Sequence, residues 1–455
     1  MSLSLESVRG CLEGGIPSTV VTCSADGIPN ATYITQAHFV DASHIALSFQ
    51  FFSKTHQNVL VNPHAEVAVI HPVTAERYHM EVQYIRTETS GPLYESMKAR
   101  LAGIASHVGM SKVFRLQGAD IYRVLSITDV SRDQLPSAAP RINVLSALRA
   151  VIEPVSRSTD LAQLFDETLV NLESHLDIRH SMIVMFDAPG QRLYTVASRG
   201  YAQSGVGSEI ALGCGVIGVA AAHRTPILIS HAAAEYSYGR AIRDSTERAG
   251  LSETFETAIP FPGLPDSRSQ LAVPVIASDT LLGVLYAESP SDLRFGYQEE
   301  DALAAIASAL AIAIRGLREH TDPPDTPLLS PSVPAPSTAL MGVPAIVIRH
   351  YAADDSIFIG TDYLIKGVAG AILAKLLREL LGSNRTEFTN RELRLDPSIK
   401  LPDLSDNLEA RLVLLQKRLA ERCACLQMER TGRGRFRLSA AQPLSLEEVP
   451  ASRNR

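Results

Sequence analysis

Tryptophan is absent from the 455 residues, and its absence excludes nothing by itself. The other shortages are more informative. The five cysteines, Cys11, Cys23, Cys214, Cys423 and Cys425, are odd in number and scattered. That excludes a disulfide framework and fits a reducing, cytoplasmic compartment. No apolar run approaches the ~20 residues that a membrane-crossing helix needs. The start, MSLSLESVRG, has no basic stretch followed by an apolar one, so neither a membrane contact nor a secretory leader is expected. A net charge of −7 excludes a chain that binds polyanions along its whole length. The exception is local: Arg349 to Leu438 carries 16 basic and 12 acidic side chains, a mildly basic segment in an acidic chain.

What is present is ordinary globular material, with 45% hydrophobic and 20% charged residues. The length predicts about three domains. One linker stands out, TDPPDTPLLSPSVPAPSTALMGVP, in which proline removes backbone donors and favours extended chain. A weaker break lies at DQLPSAAPR. These breaks divide the chain into a first domain at 1–135, a second at 140–320, the Pro-rich linker at 321–344, a third domain at 345–440 and a flexible tail at 441–455.

The first block is rich in short β-branched and aromatic runs (STVVTCS, NATYITQAHFV, HIALSFQFF, AEVAVIHPV), with a turn at Gly27 and Pro29. Several short antiparallel strands with one or two helices predict a small barrel. Ser53 and Lys54 sit where a strand gives way to a helix, and free N–H groups at a helix start beside a cation suit a phosphate monoester. Asn58 and Asn62 lie about one turn apart, and Pro63 ends that helix. The run FFSKTHQNVLVNPHAEVAVI resembles the pyridoxamine 5′-phosphate oxidase-like flavin-binding split barrels, over about Gly15 to Val130. The resemblance implies a homodimer with FMN at its interface. It places Ser53, Lys54 and Asn58 at the phosphate side, and Thr32, Tyr33, Gln50 and Phe51 near the isoalloxazine ring. Lys54-Thr55 stands where the oxidases show Arg-Lys. Seven histidines in this block invite a haem reading, but none has a second ligand at diagnostic spacing, and no metal is expected.

The second block opens with helix from about Asn143 to Leu176, with Leu161, Leu164, Phe165 and Leu169 on one face. Strands follow, ending in the paired QLAVPVIA and LLGVLYAES and a long helix from Tyr297 to Glu319. This order predicts an α+β domain. GCGVIG lets the chain turn tightly into a helix. With Ser269-Gln270, Val273-Pro274-Val275, Gly283-Val284-Leu285, Glu288-Ser289 and Phe295, the block resembles a GAF domain, an α/β sandwich that senses an unidentified small ligand. Within the long connection after PILIS, Tyr236, Tyr238, Arg240 and Arg243 either contact an anionic or aromatic ligand or solvate the loop.

The third block reads as hairpin, helix, Leu-seamed helix and a hairpin around Gly432 and Gly434. It resembles the winged-helix effector domain of response regulators, from Ser356 to Ser439. Arg411 and Arg418 on the second helix and Arg430, Arg433 and Arg435 in the wing are the candidate phosphate contacts for DNA. Val413, Leu414 and Gln416 occupy the face that reads bases in that family, and an apolar exposed face suits a protein partner. DNA and a protein partner both stay open. The whole reads as a multi-domain α+β sensor coupling redox state or a small molecule to a winged-helix output. The alternatives are an FMN-dependent oxidoreductase controlled by its GAF domain, and a cofactor-free scaffold.

Overall fold

The computed structural model describes residues 3–12, 16–34, 37–50, 54–72, 74–107, 116–132, 142–230, 259–319, 345–399, 401 and 408–450. The Pro-rich linker therefore lies outside the described residues. The described chain is mixed α/β and carries several sheets.

The first unit contains β1 (Ser18–Cys23), β2 (Pro29–Ile34), β3 (Ala37–Asp41), β4 (His44–Phe49), α1 (Lys54–Val61), β5 (His64–Ile70), β6 (Arg77–Glu88), α2 (Pro92–His107) and β7 (Gly118–Asp129). The strands form one seven-stranded sheet in the order β2-β1-β5-β6-β7-β4-β3. Every pairing in it is antiparallel. Alternation assigns the faces. Val20, Val67, Met80 and Val82 join Leu5, Val8 and Leu12 of a short N-terminal 3-10 helix in one core. Ala46, Ala119 and Ile121 face the other way, onto Met97 and Leu101 of α2.

The second unit comprises α3 (Val144–Arg157), α4 (Leu161–Leu176), β8 (His180–Asp187), β9 (Arg192–Arg199), β10 (Glu209–Ala211), α5 (Gly215–His223), β11 (Ile227–Ile229), β12 (Ser269–Ala277), β13 (Thr280–Ser289) and α6 (Tyr297–Glu319). The six strands run in the order β10-β9-β8-β13-β12-β11. One face carries α3, α4 and α6 through Phe165, Leu169, Leu285, Leu303 and Leu310. The opposite face carries α5 through Val184, Ala220, Ile217 and Tyr286. The β12–β13 turn uses two left-handed residues, Ser278 (φ 46°) and Asp279 (φ 60°), which match the twist of a tight hairpin. At Gly283 a Cβ would stand 2.1 Å from the Val184 carbonyl oxygen, so the β13–β8 pairing requires glycine there.

The third unit has β14 (Ile346–Tyr351), β15 (Ser356–Ile359), β16 (Asp362–Ile365), α7 (Gly367–Ser383), β17 (Glu387–Thr389), α8 (Asn390–Leu395), α9 (Leu408–Arg422), β18 (Leu426–Gly432), β19 (Arg435–Ala440) and β20 (Leu444–Val449). Its sheets run β16-β15-β14-β20 and β17-β19-β18. The second unit lies between the other two. Helix α2 packs on β11 and α5 at one edge of its sheet, and α9 packs on α4 and β9 near the other. A single apolar core runs from the helical face of the second unit into the third.

Two expectations are corrected. The single helix read over 143–176 is two helices, because Ser158 is extended and Asp160 N-caps the second by accepting from the Gln163 N–H. The tail is not loose throughout, since β20 forms within it and pairs parallel to β14.

Phe165 is fully buried in the shared core. Phe165→Ala removes the ring and leaves a cavity, at a cost of about 3–5 kcal/mol. The denaturant midpoint of the second unit is expected to fall accordingly, read by near-ultraviolet circular dichroism.

Candidate functional site

In the first unit, the flavin-side residues separate into three groups. Lys54 is exposed at the start of α1, which rests on β1 and β2. That placement is fixed by polar contacts: the Asn30 side-chain amide donates to Thr55 Oγ1 at 3.0 Å, and that of Asn58 to Thr22 Oγ1 at 3.0 Å. Thr32 is half-buried and Tyr33 is 79% exposed on the edge strand β2. Gln50 and Asn58 are buried instead. The Gln50 amide bonds Ser48, and the Asn58 amide holds α1 to β1 through Thr22. Phe51 and Ser53 lie outside the described residues. Sequence reasoning passed over a neighbouring cluster. Buried Asp120 accepts from Thr87 Oγ1 at 2.6 Å and pairs with His56 Nδ1 at 2.9 Å, and the His56 ring stacks on Phe49 with centroids 4.1 Å apart.

In the second unit, Tyr236, Tyr238, Arg240 and Arg243 lie outside the described residues. The described residues offer a separate candidate. A cleft of ≈ 670 Å³ opens at the ends of β8 and β13, and its lining includes Arg179, His180, Glu288, Asp292, Arg294 and Gln298. Glu288 is 1% exposed and shares a strand face with Tyr286 two residues earlier. One carboxylate oxygen accepts the Leu264 N–H at 3.1 Å, and the other accepts the Tyr286 hydroxyl at 3.3 Å. The nearby Ser267 and Tyr201 hydroxyls also favour its charged form. Burial pushes the carboxyl above its ordinary range, and these hydrogen bonds offset the shift only in part. His180 stands edge-on to Tyr201, with ring centroids 5.7 Å apart. Burial, reinforced by the Arg179 charge, pushes its pKa down. A cleft wall that combines a buried carboxyl with a histidine shifted toward neutral has the character of a small-molecule site. The sequence signal was present in LLGVLYAES, where a lone carboxylate ends an otherwise apolar strand.

In the third unit, the five candidate phosphate contacts are divided by burial. Arg411 and Arg418 are buried and turned inward, which corrects the expectation that they face a nucleic acid. The Arg411 guanidinium lies 3.8 Å from the Tyr194 ring centroid and 2.8 Å from Asp187 Oδ1. Arg418 is 4% exposed and donates to the Leu364 carbonyl at 3.1 Å. Arg430 is exposed but paired with Asp160 at 3.1 Å, while Arg433 is exposed and Arg435 half-buried. Val413 and Leu414, expected to be an exposed apolar face, are buried; a Cβ on Gly207 of the second unit would touch Leu414 at 3.5 Å.

At the opposite junction, Arg9 makes two bonds to Asp301, at 2.8 and 3.1 Å, and buried Arg100 reaches Glu300 at 3.4 Å. Burial raises the Glu300 pKa while Arg100 opposes it; burial lowers that of His38, with Arg100 and Arg9 adding to the shift. Among the described residues no group of three or more His, Cys, Asp or Glu is placed to hold a metal. None of their helices is long and apolar enough to cross a membrane.

Residues 160–314 match the model of the GAF domain family. No curated protein matches the chain. Among solved structures, the chain is similar to the GAF domain from an Acinetobacter phosphoenolpyruvate-protein phosphotransferase, at 20% identity over 39% of this chain and 95% of that one, with a TM-score of 0.30. It is similar to the free methionine-R-sulfoxide reductase from Neisseria meningitidis at 18% identity over 40% and 95%, with a TM-score of 0.31. An FMN-binding protein from Syntrophomonas wolfei subsp. wolfei is 18% identical over 28% of this chain and 86% of its own, with a TM-score of 0.25. The family match, over the six-stranded sheet with helices on both faces, makes residues 160–314 of this chain a GAF domain.

Proposed function

We propose that the chain is a small-molecule-sensing regulator in which the GAF domain binds a ligand and the third unit, a winged helix, carries the output. The observation that carries this reading is Glu288, a buried carboxyl that accepts the Leu264 N–H and the Tyr286 hydroxyl in the wall of a cleft of ≈ 670 Å³. Its ionised form suits a ligand with a cationic or strongly donating nitrogen. The order of three strands, helix, strand, two helices, a hairpin and a last strand in the third unit supports the winged-helix reading. The arginines Arg433 and Arg435 at the hairpin tip support a contact with nucleic acid.

The first unit is read as a flavin-binding split barrel that holds FMN. Exposed Lys54 and the N–H groups of the first turn of α1 fit a phosphate monoester. Tyr33 on β2 opens to solvent beside half-buried Thr32, so the ring site needs a second protomer to enclose it. FMN would supply redox chemistry there, and Lys54 would hold its phosphate. The assembly is accordingly read as a homodimer. Leu145 on α3 and Ile312 on α6 are 77% and 72% exposed, and Leu145, Leu148 and Ile152 line an open apolar groove along α3. Apolar faces of this kind suit pairing of the GAF helices across the dimer.

Four outcomes test these readings. Native mass spectrometry should find a small non-covalent adduct on the GAF domain of the full chain that Glu288→Gln loses; an unliganded wild type with no thermal shift against cationic metabolites would sink the sensing claim. The same variant has a pH signature. The folded state holds the Glu288 proton more tightly than the unfolded chain, so the stability this gives is complete at low pH and lost as pH rises toward the raised value. Glu288→Gln should flatten that loss as pH rises above the ordinary carboxylate range, read from denaturation midpoints. For the barrel, purified protein should be yellow and release FMN, with retention at least roughly tenfold weaker in Lys54→Ala. For assembly, Leu145→Glu with Ile312→Glu should shift sedimentation from dimer to monomer.

A further inference from the structure

The contact between the third unit and the GAF domain has a consistent sign. Four cations of the third unit meet four carboxylates of the GAF domain. Arg411 meets Asp187 at 2.8 Å, Lys417 meets Asp166 at 2.5 Å, Arg430 meets Asp160 at 3.1 Å, and Lys366 meets Glu209 at 3.4 Å. The carboxylates come from separate elements: the N-cap and body of α4, the end of β8 and the start of β10. Three of the cations lie on α9 or the strand after it, which are the elements a winged helix applies to nucleic acid. The same seam buries Val413 and Leu414 of α9. In a freely accessible recognition helix those side chains would lie open to water.

We infer that the acidic edge of the GAF domain occupies the cation set of the third unit in place of a nucleic-acid backbone, so that the described arrangement is a closed, self-masked state. This rests on the winged-helix reading above. An external polyanion then competes with Asp160, Asp166, Asp187 and Glu209 for the same side chains. Arg433 in the wing is exposed and offers a first point of contact, whereas half-buried Arg435 lines a small cavity at the seam beside Leu161 and Val413. Because α9 packs on β9 and α4, a ligand that shifts the GAF sheet against its helices alters the surface on which α9 rests.

The test uses the full chain. Carbodiimide should join Lys417 to Asp166 and Lys366 to Glu209 in low salt, and an excess of duplex DNA of arbitrary sequence should suppress both links. The variant with Asp160→Asn, Asp166→Asn, Asp187→Asn and Glu209→Gln removes the four charges. Its asparagine in place of Asp160 keeps the helix cap, since Asn caps as well as Asp. It should bind the duplex at least roughly tenfold more tightly than wild type, with a steeper salt dependence. Absence of the links in wild type, or an affinity unchanged in the four-site variant, overturns the inference. A charge-swapped pair, Asp166→Lys with Lys417→Asp, guards against misfolding: it should relink and return to wild-type affinity, whereas Asp166→Lys alone should not. Failure of the output reading looks different. If Arg433→Ala with Arg435→Ala leaves the gain in duplex binding intact, the wing is not the output surface, and the masking stands.

Discussion

One guanidinium holds the junction on which the rest of the arrangement depends. Arg411 lies over the face of Tyr194 and beside Asp187, so a cation of the third unit is fixed by a ring and a carboxylate of the GAF sheet. Such a cation–π contact is worth about 2 kcal/mol when desolvated. The partly exposed pairs around it contribute about 0.2–1 kcal/mol each. Burying Val413 and Leu414 contributes about 1.5–3 kcal/mol apiece. Apolar burial and the charged contacts therefore contribute comparable amounts, and the charges also set register and direction. An interface built this way is firm at rest and sensitive to competition for its charges.

The GAF cleft and the two junctions belong to one sheet. Glu288 lies near the end of β13, Asp187 ends β8, and Glu209 begins β10. Glu288 and Met182 face the α5 side, whereas Phe165 and Leu285 pack on the helical side that continues into the third unit. Glu288 and the seam carboxylates Asp187 and Glu209 thus lie on strands of one sheet. At the other edge, α2 of the first unit rests on β11 and α5, with Arg100 and Arg9 reaching Glu300 and Asp301 of α6. The GAF domain is the physical link between the two outer units.

Much of the fold was legible because local patterns carried it. Runs of β-branched and aromatic residues marked most of the strands, and the Leu161, Leu164, Phe165 and Leu169 spacing gave the buried face of α4. The break between α3 and α4 was missed because Asp160 reads as one more helical polar residue until its cap bond to Gln163 is seen. The strand at Leu444–Val449 was missed because its partner, β14, is nearly a hundred residues earlier, and a short polar-flanked run shows no pairing of its own.

Local residue patterns were enough to assign most strands and helices, the three-block order and the GAF character of residues 160–314. Those properties reside in neighbouring residues, so periodicity and turn chemistry reveal them. The folded chain was needed to learn that Arg411 and Arg418 are buried, that Asn58 braces a helix, and that Val413 and Leu414 are buried where α9 meets the GAF domain. The reason is physical. A basic or apolar side chain on a helix has the same local pattern whether it faces water, phosphate or a carboxylate far away in the sequence, and burial is set by what the folded chain brings against it.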